Sequence, residues 1–506
     1  MKIRISLLAN LAGQGWTAAL NLAAVPFYIH FLGVDAFGLI GLFTVVITIV
    51  SIIDAGMTTT LNRELVRFVA GERSADSIRD LLRSVEIGLG AVGVALMIAA
   101  LGLGPVLAQA WIGPSSIPFA TIAFSLTMMI VAAVLRLLEA IYRAALLGLH
   151  RPVLMNGLSV ISSTTRIAGV LGAFALVGAD LRTFFIWQVA TGVLTLAAYA
   201  CATHLCVGRG SRPARFAPAE LRGVKGFASG AFGMALLNIL LTQADKMLVP
   251  RLVSLREVGY YSAAVVIATS VNQIVLPIFH TFYPRLSFLH ATEDGEQFAA
   301  TYLSAATLLA VVAGCPVAVF IGFGHEILFA WTGKVDVANA AAPVLRLLAP
   351  GALAFGLYHL PMAALLAAGA QRAAVKAMGL AVALLVPTIL AGFYWAGLDG
   401  VAAGWSAVLC LNLALGMVAT RRCVLPEIAV RQLVGSSFLA IVVATAITAL
   451  LRLLRLLLIA ATDERWRLAV ELAIVGGVVL SLTALVAWNR RAVALLRQRR
   501  SLHEPN

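Results

Sequence analysis

This chain has little charge for its length. Charged residues fill 12% of its 506 positions, about half the share of a soluble domain, while apolar residues reach 61% and the mean hydropathy is +0.97. That balance excludes a water-soluble globular protein and points to a polytopic membrane protein. Carboxylates are scarcer than cations, 23 against 37, for a formal charge of +14. The cations are spread over many short connections and not gathered on one face, which argues against nucleic acid. Cysteine is scarce as well. Cys201, Cys206, Cys315, Cys410 and Cys423 lie in or beside apolar runs with no CxxC pair. They read as small apolar fillers, neither disulfides nor zinc ligands. There is no GxxxxGK[ST], so no P-loop ATPase, and no HExxH or GxSxG framework. Gly88, Gly90 and Gly93 spell GxGxxG inside an apolar run, where small residues serve helix packing and not a dinucleotide. The histidines are scattered and imply no metal. No outer connection is longer than about 17 residues by spans good to a few residues, so a catalytic ectodomain has no room. No enzyme activity and no cofactor are expected.

What the chain has in quantity is long apolar runs. A bilayer core of about 30 Å needs about 20 apolar residues per helix. Fourteen runs qualify, near 5–31, 34–60, 84–109, 117–138, 152–178, 183–206, 226–250, 257–283, 301–325, 341–366, 374–397, 400–420, 434–459 and 468–488. The fold class is therefore all-α, with about fourteen transmembrane helices. Charge orients them. With the N-terminus inside, 24 of the 37 Lys and Arg residues fall at the termini and on even-numbered connections, and 6 on odd-numbered ones. Such a positive-inside excess places both termini in the cytoplasm and favours anionic lipid at that leaflet. The first run continues to Gly33, too long for a cleaved signal peptide, and reads as the first span.

The chain also repeats itself. Gly38 of FLGVDAFG matches Gly259 of RLVSLREVG at an offset of 221; AWIG at 110–113 returns as AWTG at 330–333; Gly148 and Arg151 of LLGLHR match Gly369 and Arg372 of AAGAQR. Ordered matches at nearly one offset indicate a duplication, and paired repeats in membranes mark transporters with a path between the halves. The two longest connections, 61–83 and 207–225, are both basic and each has the length of a short surface helix. LNRELVRFV puts Leu61, Leu65 and Phe68 on one face, with Arg63 and Arg67 elsewhere. The second, with Pro213 and Pro218, divides the repeats.

Several segments resemble one family. QADKMLVPRLVSLREVGYYSAA, followed by VLPIFHTFYPRLS, is similar to helices 7 and 8 of the oligosaccharide flippases, the polysaccharide-transporter branch of the multidrug/oligosaccharidyl-lipid/polysaccharide (MOP) exporter superfamily. FLGVDAFGLIGLFTVV with IIDAGMTTTLNRELV looks like the first-repeat counterpart, YRAALLGLHRPVLMN like the turn after helix 4, and GLDGVAAGW like the turn before helix 12. The resemblance implies two pseudo-symmetric six-helix lobes around a central cavity: an N-lobe over 1–206, a linker over 207–225 and a C-lobe over 226–420. Two extra helices over 421–489 and a basic tail over 490–506 complete it. It also implies residence in a bacterial cytoplasmic (inner) membrane. The substrate would be an undecaprenyl-diphosphate-linked oligosaccharide, moved outward by alternating access for O-antigen, capsule or exopolysaccharide synthesis. A polysaccharide polymerase and chain-length proteins would be its protein partners. The alternative within the superfamily is a cation-coupled drug or metabolite antiporter, and a membrane-bound glycan polymerase or ligase is a third class.

A diphosphate with sugars needs a cationic, hydrogen-bonding route, and ionisable residues inside spans are functional suspects. Arg166, midway along the fifth span, is the deepest cation, either a contact for diphosphate or sugar or a tie to a carboxylate or carbonyl. Lys246 and Asp245, adjacent and so about 100° apart, need not pair with each other; toward the outer end of the seventh span they are a cavity charge or part of a gate, or else Lys246 snorkels outward while Asp245 caps or pairs structurally. Arg346, a turn inside the tenth, is a cavity residue or an interfacial anchor. Arg136 and Glu139 have the spacing of an i,i+3 ion pair. Asp54 is the candidate for a coupling proton or sodium ion, or else holds Arg63 or a neighbouring helix. Gln14 and Asn21 share a face with Asn10 on the first span and face the cavity or a neighbouring helix. Arg452 and Arg455, near the outer end of the thirteenth, either snorkel to headgroups or steer the lipid diphosphate.

Overall fold

The computed structural model describes residues 2–54, 56–208, 210–217, 225–427, 430–458 and 464–501, without side-chain surroundings for 2–12, 225–232, 458, 489–501 and several positions between 430 and 436. Residues 218–224 of the expected linker, the end of the basic tail and the side chain of Asn10 thus lie outside the described residues. Fourteen α-helices and no strand are present among them. They are α1 (Lys2–Leu32), α2 (Val34–Ser51), α3 (Met57–Val69), α4 (Ala75–Trp111), α5 (Phe119–Gly148), α6 (Pro152–Leu176) and α7 (Leu181–Val207). There follow α8 (Lys225–Leu252), α9 (Leu255–Ala291), α10 (Gly295–Thr332), α11 (Val335–Ala367), α12 (Gln371–Cys423), α13 (Val430–Leu458) and α14 (Arg465–Ser501). Eleven helices among the described residues are long and apolar enough to cross a membrane. The chain is a multi-pass membrane protein.

Every expected span overlaps a helix; the second, 34–60, runs past the end of α2 at Ser51 into α3, which is not a span of its own, and α12 holds two spans. A straight helix of 53 residues would run about 80 Å, far beyond a bilayer core. Ala396 (φ −141°) and Gly397 (φ 56°) break it, and the two halves fold back on each other. Gly392 and Gly400 then meet backbone to backbone, where a Cβ on either would run into the other's carbonyl.

The helices form two compact units, Met1–Gly259 and Tyr260–Asn506. In the first, α3 is the expected amphipathic helix. Leu61 and Leu65 are buried with Leu81, Leu82, Ile141 and Ala145 between α4 and α5, while Val66 and Arg63 stay exposed. Gly148 admits the Asn62 carbonyl at a distance no side chain would allow. Buried Glu64 draws in Arg73 (2.9 Å) and Arg67 (3.2 Å), so the basic face is anchored from beneath.

The connection after α7 is described only over 210–217, and residues 218–224, where the expected surface helix could also fall, lie outside the described residues. Residues 210–217 form no surface helix; they are an extended strap along the first turns of α4. Asp76, Asp80 and Ser84 recur every four residues and so share one face. Asp76 accepts from the Ser211 amide (2.9 Å) and hydroxyl, Asp80 from the Arg215 amide (2.7 Å) and the Arg212 guanidinium, and Ser84 from the Ala217 amide (2.8 Å). Pro213 removes a donor that a helix would have used.

In the second unit, α10 lies at the centre and packs on α11, α13 and α14, with α12 against α11. One apolar cluster joins Val275 and Leu286 of α9 to Leu309, Ala313 and Leu353; another joins Cys315, Val319 and Phe323 to Ala444 and Val479.

The repeat signals divide into two kinds. Gly38 and Gly259, matched in sequence, touch each other in space: α2 crosses the first turn of α9 where a Cβ on Gly38 would meet the Leu255 carbonyl and the Gly259 amide. The helix-ending turns, by contrast, superpose at an offset of 219. His150 (φ 55°) and Gly369 (φ 69°) take the same left-handed position, and Arg151 N to Leu146 O and Ala370 N to Leu365 O close the same bond. Gly148 and Gly369 therefore align in sequence while doing different work. Of the GxGxxG glycines, Gly93 alone packs on another helix, against Val134, and Gly88 faces open space. Gly38→Leu or Gly259→Leu should thus abolish monodisperse folded protein on size-exclusion chromatography in detergent, whereas Gly88→Leu should leave it near wild type.

Candidate functional site

Four of the charged residues that the hydrocarbon environment makes costly gather in one place within the first unit. Arg136, Glu139 and Arg143 follow each other at i, i+3 and i+7 along one face of α5. A stripe on α7, Gln188, Thr195 and Tyr199, runs beside them, and Arg166 reaches in from α6. A helical side chain leans toward its own N-terminus, so Arg166 descends toward the start of α6 and meets Glu139, nine residues before the end of α5.

Arg166 Nη2 donates to Glu139 Oε2 at 2.6 Å and to the Thr195 hydroxyl at 3.0 Å; that hydroxyl in turn donates to Glu139 Oε2 at 3.0 Å. Arg166 Nε is buried with no hydrogen-bond partner among the described residues. Glu139 Oε1 is held loosely, 3.9 Å from half-exposed Arg143. Arg136 bonds Gln188 Oε1 at 3.3 Å and lies 5.0 Å above the ring of Phe43, beneath a chain of edge-to-face rings, Tyr28, Phe184 and Phe185. The i,i+3 spacing of Arg136 and Glu139 therefore does not produce their main bond: a carboxylate between helices takes the cation that approaches head-on. Three guanidiniums face one carboxylate, a formal excess of two positive charges inside a helix bundle. Such a cluster favours an anion as its partner.

The other sequence candidates fall elsewhere. Asp245 is fully buried, with Lys246 Nζ 3.2 Å away and also donating to the Thr242 carbonyl at 2.6 Å; the adjacent pair does meet. Asp54 is buried and accepts the Thr58 amide at 3.1 Å, tying the end of α2 to the start of α3. Asn21 is exposed and donates to the Thr17 carbonyl, and Gln14 is exposed on α1. The polar contacts of α1 are made instead by Trp16 to Thr164 (3.0 Å) and Thr17 to Ser163 (3.2 Å) of α6. Arg346 is exposed; because α11 begins at Val335, it lies about three turns into its helix rather than one.

Arg452 and Arg455 belong to a neutral cluster in the second unit. Arg455 pairs with Glu326 of α10 and Glu471 of α14, both at 2.7 Å, and Arg452 lies 4.0 Å from Glu326 and above the Phe323 ring. Arg465 caps α10 by donating to the Ala330 and Trp331 carbonyls at 3.2 and 3.0 Å. These bonds staple α13 and α14 to α10. Beside them an apolar cavity of about 750 Å³ opens among α9, α10 and α14, lined by Ile274, Phe320, Trp331, Leu472 and Leu480. Reasoning from sequence missed Glu326 and Glu471 as partners, although each is a lone carboxylate in an apolar run.

The fold and its charges can now be set beside known proteins. The polysaccharide biosynthesis protein family matches residues 30–328, more than half of the chain. The chain belongs to that family. No match is found among curated proteins. Among solved structures, the lipid II flippase MurJ in an inward closed conformation superposes with a TM-score of 0.68 at 13% identity, over 96% of this chain and 99% of that one. An inward-facing multidrug resistance MATE family transporter of the MOP superfamily gives 0.62 at 14% identity, over 83% and 94%. A MOP superfamily transporter from Pyrococcus furiosus gives 0.58 at 14%, over 83% and 93%. At such identities the likeness speaks for the fold. This member of the polysaccharide biosynthesis family thus has a MurJ- and MATE-like fold.

Breaking a buried ion pair from one side typically costs about 3–5 kcal/mol. Arg455→Ala would strand Glu326 and Glu471 together, so the thermal midpoint of the purified protein should fall by several degrees. Arg452→Ala, whose carboxylate contact is long, should lower it less. Adding Glu326→Gln to Arg455→Ala should recover part of the loss.

Proposed function

We propose that this protein is a flippase for oligosaccharides carried on a polyprenyl diphosphate, moving them from the cytoplasmic to the outer leaflet for surface polysaccharide synthesis. The observation that carries the reading is the pocket of Arg136, Arg143 and Arg166 around Glu139, an unbalanced positive charge among otherwise apolar helices. A diphosphate diester bears two negative charges and so matches the excess. Arg supplies it with forked donors, and the neighbouring hydroxyl and amide of Thr195 and Gln188 suit an oligosaccharide head. A carrier for cationic drugs would need the opposite polarity. The apolar cavity between α9, α10 and α14 suits the polyprenyl chain, which has no reason to leave an apolar surrounding.

Family membership supports a role in polysaccharide synthesis, and the fold is that of a protein described as a lipid II flippase. On this reading the protein makes and breaks no covalent bond. It cycles by alternating access, with both termini in the cytoplasm and a proton or sodium gradient as the driving force; buried Asp54 is the proposed coupling residue. A polysaccharide polymerase and chain-length proteins would receive the product.

In a strain without a second flippase, deletion should leave lipid-linked glycan on the cytoplasmic leaflet and remove the surface polymer. Arg166→Ala protein, restored to such a strain and present in the membrane, should fail to rescue the polymer, and Arg166→Lys should rescue part of it because the charge stays while the fork is lost. Normal surface polymer in the deletion strain, together with a raised sensitivity to cationic drugs, would favour the antiporter.

A further inference from the structure

The bond between Arg166 and Glu139 is ambiguous in what it does. It is short, buried and crosses two helices, as a structural tie would. Its surroundings, however, are arranged for exchange. Arg166 spends one nitrogen on Glu139 and Thr195, while its Nε, which completes the fork with Nη2, is buried and has no hydrogen-bond partner among the described residues. Glu139 spends one oxygen on the same two groups, while its other oxygen is 3.9 Å from Arg143. Arg143 lies one turn further along the same helix and is half exposed, free to swing onto the carboxylate. Both partners of the short bond therefore have somewhere else to go.

We propose that Glu139 is the pocket's resident anion: it holds Arg166 in the empty carrier and yields it to the diphosphate of the substrate, passing to Arg143 as it does so. This rests on the reading of the pocket as the diphosphate site. In the exchange no charge is stranded. The arriving diphosphate takes the whole fork of Arg166 and the Thr195 hydroxyl, Glu139 keeps a cation within reach, and the two negative charges cancel the pocket's excess. Release runs the same steps backward. Glu139 reclaims Arg166 and so competes the diphosphate off, which prevents a pocket of three arginines from trapping its cargo. Glu139 is on this view a positioning residue that sets affinity and release through Arg166.

The test uses the full chain in lipid nanodiscs with farnesyl diphosphate as the probe, and titration calorimetry as the measurement. Glu139→Gln removes the competing charge and should bind the probe about tenfold more tightly or better, the worth of one charged hydrogen bond. Arg166→Gln should lose binding. Glu139→Asp guards against misfolding of the neutral variant, because it keeps the charge while the shorter side chain no longer reaches Arg166; it too should bind more tightly than wild type. In proteoliposomes, flipping of a labelled polyprenyl diphosphate at saturating substrate should be slower in Glu139→Gln than in wild type despite the tighter binding, a split that a structural tie would not produce. Wild-type affinity or weaker in folded Glu139→Gln and Glu139→Asp, with the wild type binding the probe, would overturn the role of Glu139 and leave the flippase reading standing. No binding by the folded wild type would overturn the diphosphate pocket and this proposal with it.

Discussion

A guanidinium in hydrocarbon must find an anion, a dipole or an aromatic face, and much of this structure follows from that demand. Arg166 takes Glu139 and Thr195, Arg136 takes Gln188 and the Phe43 ring, and Arg455 takes Glu326 and Glu471. Each solution recruits groups from other helices, so each charge also fixes helix register. The two clusters differ in balance. Around Arg455 two carboxylates meet two arginines and the charges cancel, which makes a staple. Around Glu139 the cations outnumber the carboxylate, which leaves an excess of positive charge.

Backbone proximity is the second constraint, and glycine serves it at defined points. α2 crosses the first turn of α9 at Gly38 and Gly259, and the halves of α12 fold together at Gly392 and Gly400. In the hydrocarbon core, association gains little from the hydrophobic effect, because the lipid is as apolar as the protein; close packing and polar bonds must hold helices together. That is why the polar seam of Trp16 and Thr17 with Thr164 and Ser163 matters to α1, whose apolar side chains have equally good company in lipid.

The helices were legible because hydrocarbon imposes one composition on every span; hence each of the fourteen runs overlaps a helix. Their ends were less so. α4 begins at Ala75, nine residues before the apolar run at 84, because Asp76, Asp80 and Ser84 continue the helix beyond the hydrophobic stretch to receive the strap of 211–217. Composition detects the lipid, not a helix that outruns it. In the site, Arg166 was legible as a deep cation, and its partner was not. Glu139 looked committed to Arg136 because spacing along one helix is visible in sequence, whereas the approach of α6 is not. Thr195 and Gln188 carry no signal at all: a lone polar residue in an apolar span is as often a helix–helix bond as a ligand.

Polarity is the step that links fold to function. The chain shares its architecture with proteins described as a lipid flippase and as multidrug transporters, so the fold cannot choose between them. On the proposed reading, the sign of the charge left over among the helices is what separates them. Carboxylates that outnumber their partners attract cations; arginines that outnumber theirs attract anions. On the reading proposed above, Glu139, set among Arg136, Arg143 and Arg166, is too little negative charge to make a cation site and enough to keep an empty anion site from holding bare guanidiniums. A lone carboxylate in that position is what an anion carrier needs if it must both hold and let go.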